Sequence, residues 1–402
     1  METKENYRQH RVLVLTTSRA DYGILRPLLY ALSRDAGIDL RLVVTGTHLS
    51  DDFGRTIQEI EDDPFLIDAA IPILTEENNS PQAMSHILAN AVRGFGDYFQ
   101  MRKPDIFLVL GDRYEAFAAC IAAVNACIPI GHLHGGETTE GAMDECFRHS
   151  ITKMSHIHFT AAEPYRNRVI QLGEAPERVF NVGALGVENA LHTPCIGLDQ
   201  LEAELNFSLP NQRYAVVTFH AVTLEPEEGN AQLEELLAAI AERNDLNFLI
   251  TKSNSDIAGQ CYNKRLDRFA EEHRHCCVIT SLGMVRYMTA LRHSACVIGN
   301  SSSGLIEAPS FGIPTINIGN RQRGRIQADS VVNCPPQKEA ILSSLDTVLS
   351  EQFRFKAAGV KNPYGDGNTS IKIAGILKDV LGMGRLDLKK KFYDIPFCPE
   401  SI

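Results

Sequence analysis

The chain has 402 residues, of which 44% are hydrophobic and 22% charged, and its formal net charge is −11. These proportions are typical of globular proteins and predict two domains, each large enough to bury a core. The acidic balance excludes broad binding to nucleic acid or to an anionic membrane surface. An anionic ligand would therefore need a local basic pocket.

The cysteines and the N-terminus indicate the compartment. Ten cysteines lie at irregular spacings and form no C-x-x-C motif, so neither a disulfide framework nor a thiolate zinc site is indicated. The first ten residues are polar, and no apolar run approaches the roughly 20 residues that span a bilayer. We therefore expect a cytoplasmic protein without a membrane partner.

Strand and helix patterns alternate through the N-terminal half. A β-branched run over 11–17 leads through Ser18 and Arg19 into a helical pattern. This order predicts a doubly wound parallel sheet, with Ser18 and Arg19 at its carboxyl edge as an anion contact. Further strands are predicted over 40–45, 106–110, 128–133 and 179–182, and helices over 51–60, 81–99 and 115–126.

Acid–base side chains follow successive strands of this predicted sheet. Asp112 comes directly after the strand 106–110, and His134 and Glu137 come after the strand 128–133. Asp144 and Arg148 share one face of the next helix because they are four residues apart. Since the carboxyl ends of parallel strands share a crevice, we expect these groups to lie in one candidate site.

Simpler interpretations of these residues stay open. Asp144 and Arg148 could form an ordinary surface pair, and His134 could be a structural histidine. A divalent-metal site is another possibility, with His132 and His134 as candidate ligands.

A second α/β series follows a glycine-rich segment near Gly186, where we place the domain boundary. A polar stretch without predicted helices reaches Pro210. The patterns then predict strands over 214–219, 248–251 and 278–280, helices over 230–243 and 284–292, a turn over 252–255, and a C-terminal helix over 370–382.

The segment 299–307 reads as a turn between a short strand and a helix. Ser301 and Ser302 would place hydroxyl and backbone N–H groups at the helix N-terminus, which favours a phosphate. Glu307, about two turns into that helix, could accept hydrogen bonds from sugar hydroxyls. The alternative is a serine-capped helix with an exposed glutamate.

Arg321, Arg323 and Arg325 follow the next predicted strand. They form either a solvated basic loop or the counter-charge for a phosphate, and the nearby serine loop favours the second interpretation. Two α/β domains of this kind predict a nucleotide-sugar bound in a cleft between them. Neither glycine pattern is a dinucleotide fingerprint or a P-loop, so NAD and ATP are not expected.

Several motifs, in their order along the chain, extend this interpretation to a family. They are Ser18-Arg19-Ala20-Asp21-Tyr22, Gly111-Asp112-Arg113, His132-Leu133-His134-Gly135-Gly136-Glu137, Arg148-His149-Ser150-Ile151-Thr152-Lys153, Gly299-Asn300-Ser301-Ser302-Ser303-Gly304 and Gly319-x-Arg321-Gln322-x-Gly324-Arg325. Together they resemble the UDP-N-acetylglucosamine 2-epimerases, in particular the hydrolysing branch of bacterial sialic acid biosynthesis and the epimerase half of the animal bifunctional enzyme. The resemblance extends into the tail as far as Pro396.

The resemblance implies two Rossmann-like doubly wound domains of the glycosyltransferase-B type facing a cleft. We expect an N-terminal domain over 1–186, to which a C-terminal helix at about 370–402 returns, and a UDP-binding domain over 187–369. It further implies a UDP-sugar substrate, no metal or organic cofactor, and a homodimer or homotetramer.

The implied chemistry is the elimination of UDP from C1 as the C2 proton leaves, followed by addition of water to a 2-acetamidoglucal. By resemblance, acid–base work falls to Asp112, His134, Glu137 and Asp144, with Arg148 orienting a carboxylate. The residues implied for UDP and its diphosphate are Arg19, Arg113, His220, Ser301, Ser302, Glu307 and Arg321; His220 also counts among the catalytic candidates.

The sequence departs from part of the family at one position, and several alternative functions stay open. Non-hydrolysing members carry glutamate where this sequence has His134, so the role of that glutamate does not transfer directly. The same chemistry on a UDP-2,4-diacetamido-trideoxyhexose, for legionaminic acid, is the main alternative. A non-hydrolysing epimerase, a glycosyltransferase and a non-catalytic nucleotide-sugar sensor are the others.

Overall fold

A computed structural model describes residues 9–74, 80–139, 143–220, 226–252, 257–384 and 386–396. The turn predicted over 252–255 lies outside these ranges from residue 253 onward. Within them, the chain divides into two compact units. The first unit comprises 9–137, 143–188 and 365–396, and the second comprises 189–364 together with residues 138 and 139.

Strands and helices alternate along most of the chain. The strands are β1 (His10–Thr16), β2 (Ile38–Thr45), β3 (Ile67–Ile71), β4 (Ile106–Leu110), β5 (Ile130–Leu133), β6 (Ile157–Thr160), β7 (Val179–Asn181), β8 (Tyr214–Thr218), β9 (Asn247–Thr251), β10 (Cys276–Ile279), β11 (Cys296–Gly299), β12 (Thr315–Ile318) and β13 (Val331–Cys334). The helices are α1 (Arg19–Ser33), α2 (Ile57–Glu61), α3 (Pro81–Met101), α4 (Tyr114–Asn125), α5 (Asp144–Met154), α6 (Glu163–Gln171), α7 (Leu185–His192), α8 (Leu198–Leu205), α9 (Pro226–Glu242), α10 (Ile257–Glu272), α11 (Gly283–His293), α12 (Ser303–Ile306), α13 (Lys338–Leu349), α14 (Glu351–Ala358) and α15 (Thr369–Gly382).

The first unit is built on a parallel sheet in the order β3-β2-β1-β4-β5-β6-β7. Its central strands are apolar on both faces, as in Ile106–Leu110, because helices cover both sides. One face packs against α1 and α15, which contributes Ile373, Leu377 and Leu381 to that core. The other face packs against α3 and α4.

The second unit repeats this architecture with a parallel sheet in the order β10-β9-β8-β11-β12-β13. Its largest core contains apolar side chains of α9, α10 and α13 packed on the sheet. The prediction of two doubly wound α/β domains is therefore confirmed. Within the described ranges, no helix is long and apolar enough to cross a membrane.

One local prediction was wrong, and two helices had no clear signal in the sequence. The helix predicted over 51–60 is a short 3₁₀ turn followed by α2, because Gly54 between them adopts a left-handed φ of 79° that ends the turn. The polar stretch before Pro210 contains α7 and α8, and fully buried Leu201 anchors α8. The short strands β3 and β6 also had no clear signal in the sequence patterns.

The strand order of both sheets reverses once, and the position of that reversal determines where a ligand can bind. In the first sheet the chain moves outward in opposite directions from β1 and β4, and in the second from β8 and β11. Loops that leave these strands at their carboxyl ends diverge and form a crevice. Asp112 follows β4, whereas His220 and Asn300 follow β8 and β11.

Candidate active site

Arg148 is the structural centre of the site in the first unit. Its side chain is buried in α5, and its guanidinium forms ion pairs with Asp112 and Glu145. Nη1 also donates to the backbone oxygen of Glu137 at 3.0 Å. A buried arginine requires such partners, since its charge cannot be left without compensation. Arg148 thereby links the end of β4 and the loop after β5 to α5, and it is not part of an exposed pair with Asp144.

His134 occupies a strained position at the end of β5. Its φ is 65°, a left-handed value that is uncommon for residues other than glycine and that often occurs at functional sites. Nδ1 donates to Oε1 of Glu137 at 2.9 Å. Nε2 is buried and has no hydrogen-bond partner among the described residues. With Nδ1 as the donor, Nε2 is the nitrogen of a neutral imidazole that can accept a proton.

Asp144 begins α5 and keeps an exposed side chain. The protein around its carboxyl group nevertheless displaces part of the solvent, which raises its pKa, and the negative charge of nearby Asp112 raises it further. Two neighbouring carboxylates in unequal environments are a common arrangement for separate acid and base roles.

Arg113 and Arg19, both predicted to bind the diphosphate, are held by carboxylates of the first unit. Arg113 donates to fully buried Glu115 through Nε at 3.1 Å and through Nη2 at 2.7 Å. Burial alone would lower the pKa of Arg113, but the charge and hydrogen bonds of Glu115 outweigh it and raise the pKa. Arg19 forms a half-exposed ion pair with Glu59 at 3.0 Å.

The backbone N–H groups before α1, at the predicted anion contact of Ser18, bind a carboxylate of the same helix. The N–H of Ser18 donates to Asp21 Oδ1 at 2.7 Å, and the N–H of Thr17 donates to Asp21 Oδ2 at 2.8 Å. Asp21 thus satisfies the N-terminus of α1 in a capping box. These groups are already used by the chain itself.

His132 is a structural residue of β5. It is fully buried, which lowers its pKa to about 3. Nε2 donates to the backbone oxygen of Gly111 at 2.8 Å, and Nδ1 lies 3.1 Å from Thr152 Oγ1. Over the part of the chain that the structure describes, no group of three or more His, Cys, Asp or Glu side chains is placed to hold a metal ion.

Asn300 organises the site in the second unit. Its side chain forms a reciprocal pair with the backbone of His220: Oδ1 accepts from the His220 N–H at 2.7 Å, and Nδ2 donates to the His220 oxygen at 2.8 Å. Its own backbone oxygen accepts from Arg321 Nη1 at 2.9 Å and from Gln322 Nε2 at 2.8 Å. One buried asparagine therefore joins the loops after β8, β11 and β12.

His220 and Arg321 are the two basic side chains around this asparagine. Burial, and to a lesser extent the positive charge of Arg321, lower the pKa of His220 to about 4. The imidazole is therefore neutral near pH 7. It can offer a hydrogen bond to an anion, while Arg321 supplies the positive charge.

The serine loop, residues 299–303, packs closely against β8. Gly299 has a φ of 135°, and a Cβ atom there would lie 1.9 Å from the backbone oxygen of Thr218. Only glycine therefore fits this turn. Ser301 and Ser302 are partly exposed after it, and Ser303 Oγ accepts from the hydroxyl of Tyr287 at 2.7 Å.

The helix after this loop is shorter than predicted. α12 ends at Ile306, so Glu307 caps one helical turn instead of lying two turns into a helix. A 3₁₀ turn, Ala308–Phe311, follows at Pro309, which cannot continue the α-helical hydrogen-bond pattern.

The structure thus groups the predicted residues separately in each unit. The first unit brings together Asp112, His134, Glu137, Asp144 and Arg148. The second brings His220 and Arg321 to Asn300, next to Ser301 and Ser302. The sequence patterns did not single out four residues whose hydrogen bonds and ion pairs hold these groups in place. They are Glu115, Glu145, Asn300 and Gln322.

The two doubly wound units define a fold class, the two-domain α/β proteins of the glycosyltransferase-B type. A solved structure of that class, the UDP-GlcNAc 2-epimerase of Neisseria meningitidis bound to UDP-GlcNAc, aligns with a TM-score of 0.71 at 20% identity. The alignment covers 92% of this chain and 100% of that one.

Sequence comparison identifies the family. The profile of the family described as UDP-N-acetylglucosamine 2-epimerase matches residues 30–378. The chain belongs to this family, as the motifs predicted. It is 41% identical to polysialic acid biosynthesis protein P7 of Escherichia coli, over 97% of this chain and 99% of that protein. It is 34% identical to the hydrolyzing UDP-N,N'-diacetylbacillosamine 2-epimerase of Legionella pneumophila, over 92% and 96% respectively.

Proposed function

We propose that this protein is a hydrolysing UDP-N-acetylglucosamine 2-epimerase that forms N-acetylmannosamine and UDP for sialic acid biosynthesis in the cytoplasm. The observation that carries the proposal is the group of acid–base side chains around Arg148 in a chain of the 2-epimerase family. The 41% identity to a protein of polysialic acid biosynthesis supports the pathway. The hydrolysing relative and the histidine at position 134 support the branch.

The proposed reaction begins with an elimination. The C2 proton of the sugar is not next to a carbonyl, so its removal must be coupled to loss of a leaving group. The C1–O bond to UDP breaks as the C2–H bond breaks, and a C1–C2 double bond forms. Water then adds to this glycal, with its hydroxyl at C1 and its proton at C2.

Inversion at C2 requires two acid–base groups, because the proton leaves from one face of the sugar and another proton returns to the opposite face. We assign the removal to Asp112, whose carboxylate is ion-paired with Arg148. We assign the return to Asp144, whose raised pKa suits a proton donor. His134, with Nδ1 held by Glu137, would accept a proton from the attacking water at Nε2.

Stabilising the departing diphosphate is the main electrostatic task of the elimination. We assign this task in the second unit to Arg321, the neutral His220, and the hydroxyl and N–H groups of Ser301 and Ser302. Glu307 would accept from the ribose hydroxyls. In the first unit, Arg19 and Arg113 would add positive charge.

A second candidate substrate is a UDP-2,4-diacetamido-trideoxyhexose. The 34% identity to a hydrolyzing diacetylbacillosamine 2-epimerase favours it. The same elimination and hydration would apply, since the reacting centres at C1 and C2 are unchanged. The two candidates differ only in the groups at C4 and C6 of the sugar.

Proton NMR in deuterated water tests the proposal. The purified protein is incubated with UDP-N-acetylglucosamine, without added metal, beside a parallel sample with the diacetamido sugar. We expect free UDP and N-acetylmannosamine that carries deuterium at C2, because the returning proton comes from solvent.

Other products would contradict the proposal in distinct ways. UDP-N-acetylmannosamine would place the protein in the non-hydrolysing branch. Turnover of the diacetamido sugar alone would establish the second candidate. Tight binding of UDP-sugars without release of UDP would indicate a sensor instead of an enzyme.

A further inference from the structure

The C-terminal segment 386–396 is fastened to the first unit at several points. The Tyr393 N–H donates to the backbone oxygen of Gly173 at 2.9 Å, and Arg178 Nη1 donates to the backbone oxygen of Asp387 at 3.2 Å. Phe392 packs so closely over Gly173 that a Cβ atom at position 173 would lie 2.3 Å from the phenyl ring. The segment therefore has a defined path over the protein surface.

Lys390 forms the central attachment of this segment. Its ammonium group donates to the backbone oxygens of Lys153, at 2.8 Å, and Ser155, and it lies 2.8 Å from Glu174 Oε2. An ammonium group has three N–H donors, and each has an acceptor here. The lysine side chain is 20% exposed and the Glu174 side chain 2%, so the contact is largely shielded from water.

Two of these acceptors belong to the C-terminal end of α5. The last carbonyl groups of a helix have no partner within the helix and carry partial negative charge, so a cation there stabilises and fixes the helix end. Lys153 and Ser155 are the next-to-last residue of α5 and its C-cap. Lys390 thus holds α5 from a segment more than 230 residues away in the sequence.

Glu174 also contacts the C-terminal end of α5. Oε1 accepts from Lys153 Nζ at 2.6 Å, and Oε2 accepts from Nε2 of fully buried His158 on β6 at 3.1 Å. The cluster of Lys153, His158, Glu174 and Lys390, in which the His158 and Glu174 side chains are buried, has no part in the proposed chemistry. Its contacts instead join α5 to β6 and to the C-terminal segment.

The opposite end of α5 carries Asp144, one of the acid–base groups, and the arginine that pairs with another. Asp144 is its first residue, and Arg148 reaches Asp112 and the backbone of Glu137 from its second turn. A displacement of α5 along its axis would move both residues relative to the ends of β4 and β5. Small displacements of groups that hold a reacting geometry can reduce a rate by up to about a hundredfold.

We propose that Lys390 is a positioning residue for the epimerase reaction, acting through α5 on Arg148 and Asp144. The inference depends on the proposed function, because it assigns the reaction to residues of α5. It gives the C-terminal segment a role in catalysis without contact with the substrate.

Replacement of Lys390 by methionine tests this role, with Lys391→Met as the matched control on an adjacent exposed lysine. We expect Lys390→Met to lower kcat at least about tenfold while KM and the Kd for UDP change less than about twofold. Lys390→Arg retains the charge and several donors and should recover most of the lost kcat. Lys391→Met should match the wild type.

Other results would overturn the inference. A lower melting temperature with unchanged kcat in Lys390→Met would show a purely structural role, as would equal losses in Lys390→Met and Lys391→Met. UDP binding by calorimetry, together with the melting curve, identifies any variant that has not folded. If Lys390→Met has not folded, Lys390→Gln, which keeps a donor without the charge, takes its place beside Lys390→Arg: a kcat at least about tenfold lower in Lys390→Gln than in Lys390→Arg supports the role, and equal kcat values overturn it. Failure of the wild type to turn over either UDP-sugar would instead count against the proposed function.

Discussion

The candidate sites of the two units are built on similar parallel sheets but are held together by different contacts. In the first unit, charged groups pair with one another around Arg148, and the carboxylates outnumber the arginine. In the second, the neutral amides of Asn300 and Gln322 hold the loops. A site that moves protons benefits from carboxylates in unequal environments, whereas under the proposed function the site of the second unit must attract a diphosphate.

This comparison predicts that changes in the first unit affect chemistry and changes in the second affect binding. Asp112→Asn should reduce kcat by about 10³-fold, because an amide cannot accept the C2 proton. The Kd for UDP, measured by calorimetry, should stay within about twofold. A large loss of UDP affinity would instead make Asp112 a structural residue.

Asp144→Asn is the matched control, since it makes the same chemical change on the neighbouring carboxylate. If Asp144 returns the proton to C2, this variant should release UDP and accumulate the 2-acetamidoglucal, which NMR detects. Asp112→Asn should accumulate none. Identical behaviour of the two variants would contradict the separate roles.

Arg321→Ala should weaken both UDP binding and turnover by about tenfold to a hundredfold, the usual range for losing a charged hydrogen bond. The loss in kcat/KM should exceed the loss in UDP affinity, because negative charge on the leaving group is greatest in the transition state. Arg274→Ala, at an exposed position of the same unit, is the control and should have little effect. Unchanged kinetics in Arg321→Ala would remove this residue from the site.

Asn300→Asp tests whether the site of the second unit requires a neutral amide at position 300. The carboxylate retains an acceptor for the His220 N–H but loses the donor to the His220 oxygen, and it adds a negative charge near Arg321. We expect UDP affinity to fall about tenfold, and more at low salt than at high salt. Equal affinities for wild type and variant at low salt would show that charge at this position is unimportant.

The smallest expected effect concerns pH. The folded protein keeps His220 neutral down to about pH 4, whereas the unfolded chain takes up a proton near its ordinary pKa of about 6.5. Between these values the unfolded state binds more protons, so the contribution of His220 to stability falls as the pH is lowered.

When the pH is lowered from 7 to 5, the free energy of unfolding of His220→Gln should therefore fall less than that of the wild type. The difference between the two decreases should be about 1–2 kcal/mol. Urea denaturation at both pH values measures this difference. His273→Gln, which changes a partly exposed histidine of the same unit, is the control. Parallel pH dependence in wild type and His220→Gln would show that burial does not keep this imidazole neutral.

Much of the fold could be predicted from the sequence because its signals are local. The run Ile106–Leu110 is apolar and β-rich, and its predicted bounds match β4. The helix predicted over 51–60 failed because one left-handed glycine divides it, and such a φ is not visible in hydrophobic periodicity.

The candidate site could be predicted less completely than the fold. Asp112 and His134 follow strands of the first sheet and Arg321 follows a strand of the second, and parallel strands bring such positions to one edge of their own sheet. The roles of Asn300 and Lys390 depend on hydrogen bonds to backbone groups that are distant in the sequence. Backbone groups are the same at every position, so no residue pattern shows which of them a side chain will meet.

The close approach of Gly299 to β8 has a consequence for genetics. A side chain at position 299 would collide with the backbone oxygen of Thr218, and every amino acid at position 218 carries that same oxygen. No second substitution at residue 218 could relieve the collision. We therefore expect searches for suppressors of a Gly299 mutation to recover true revertants and no compensating change at residue 218.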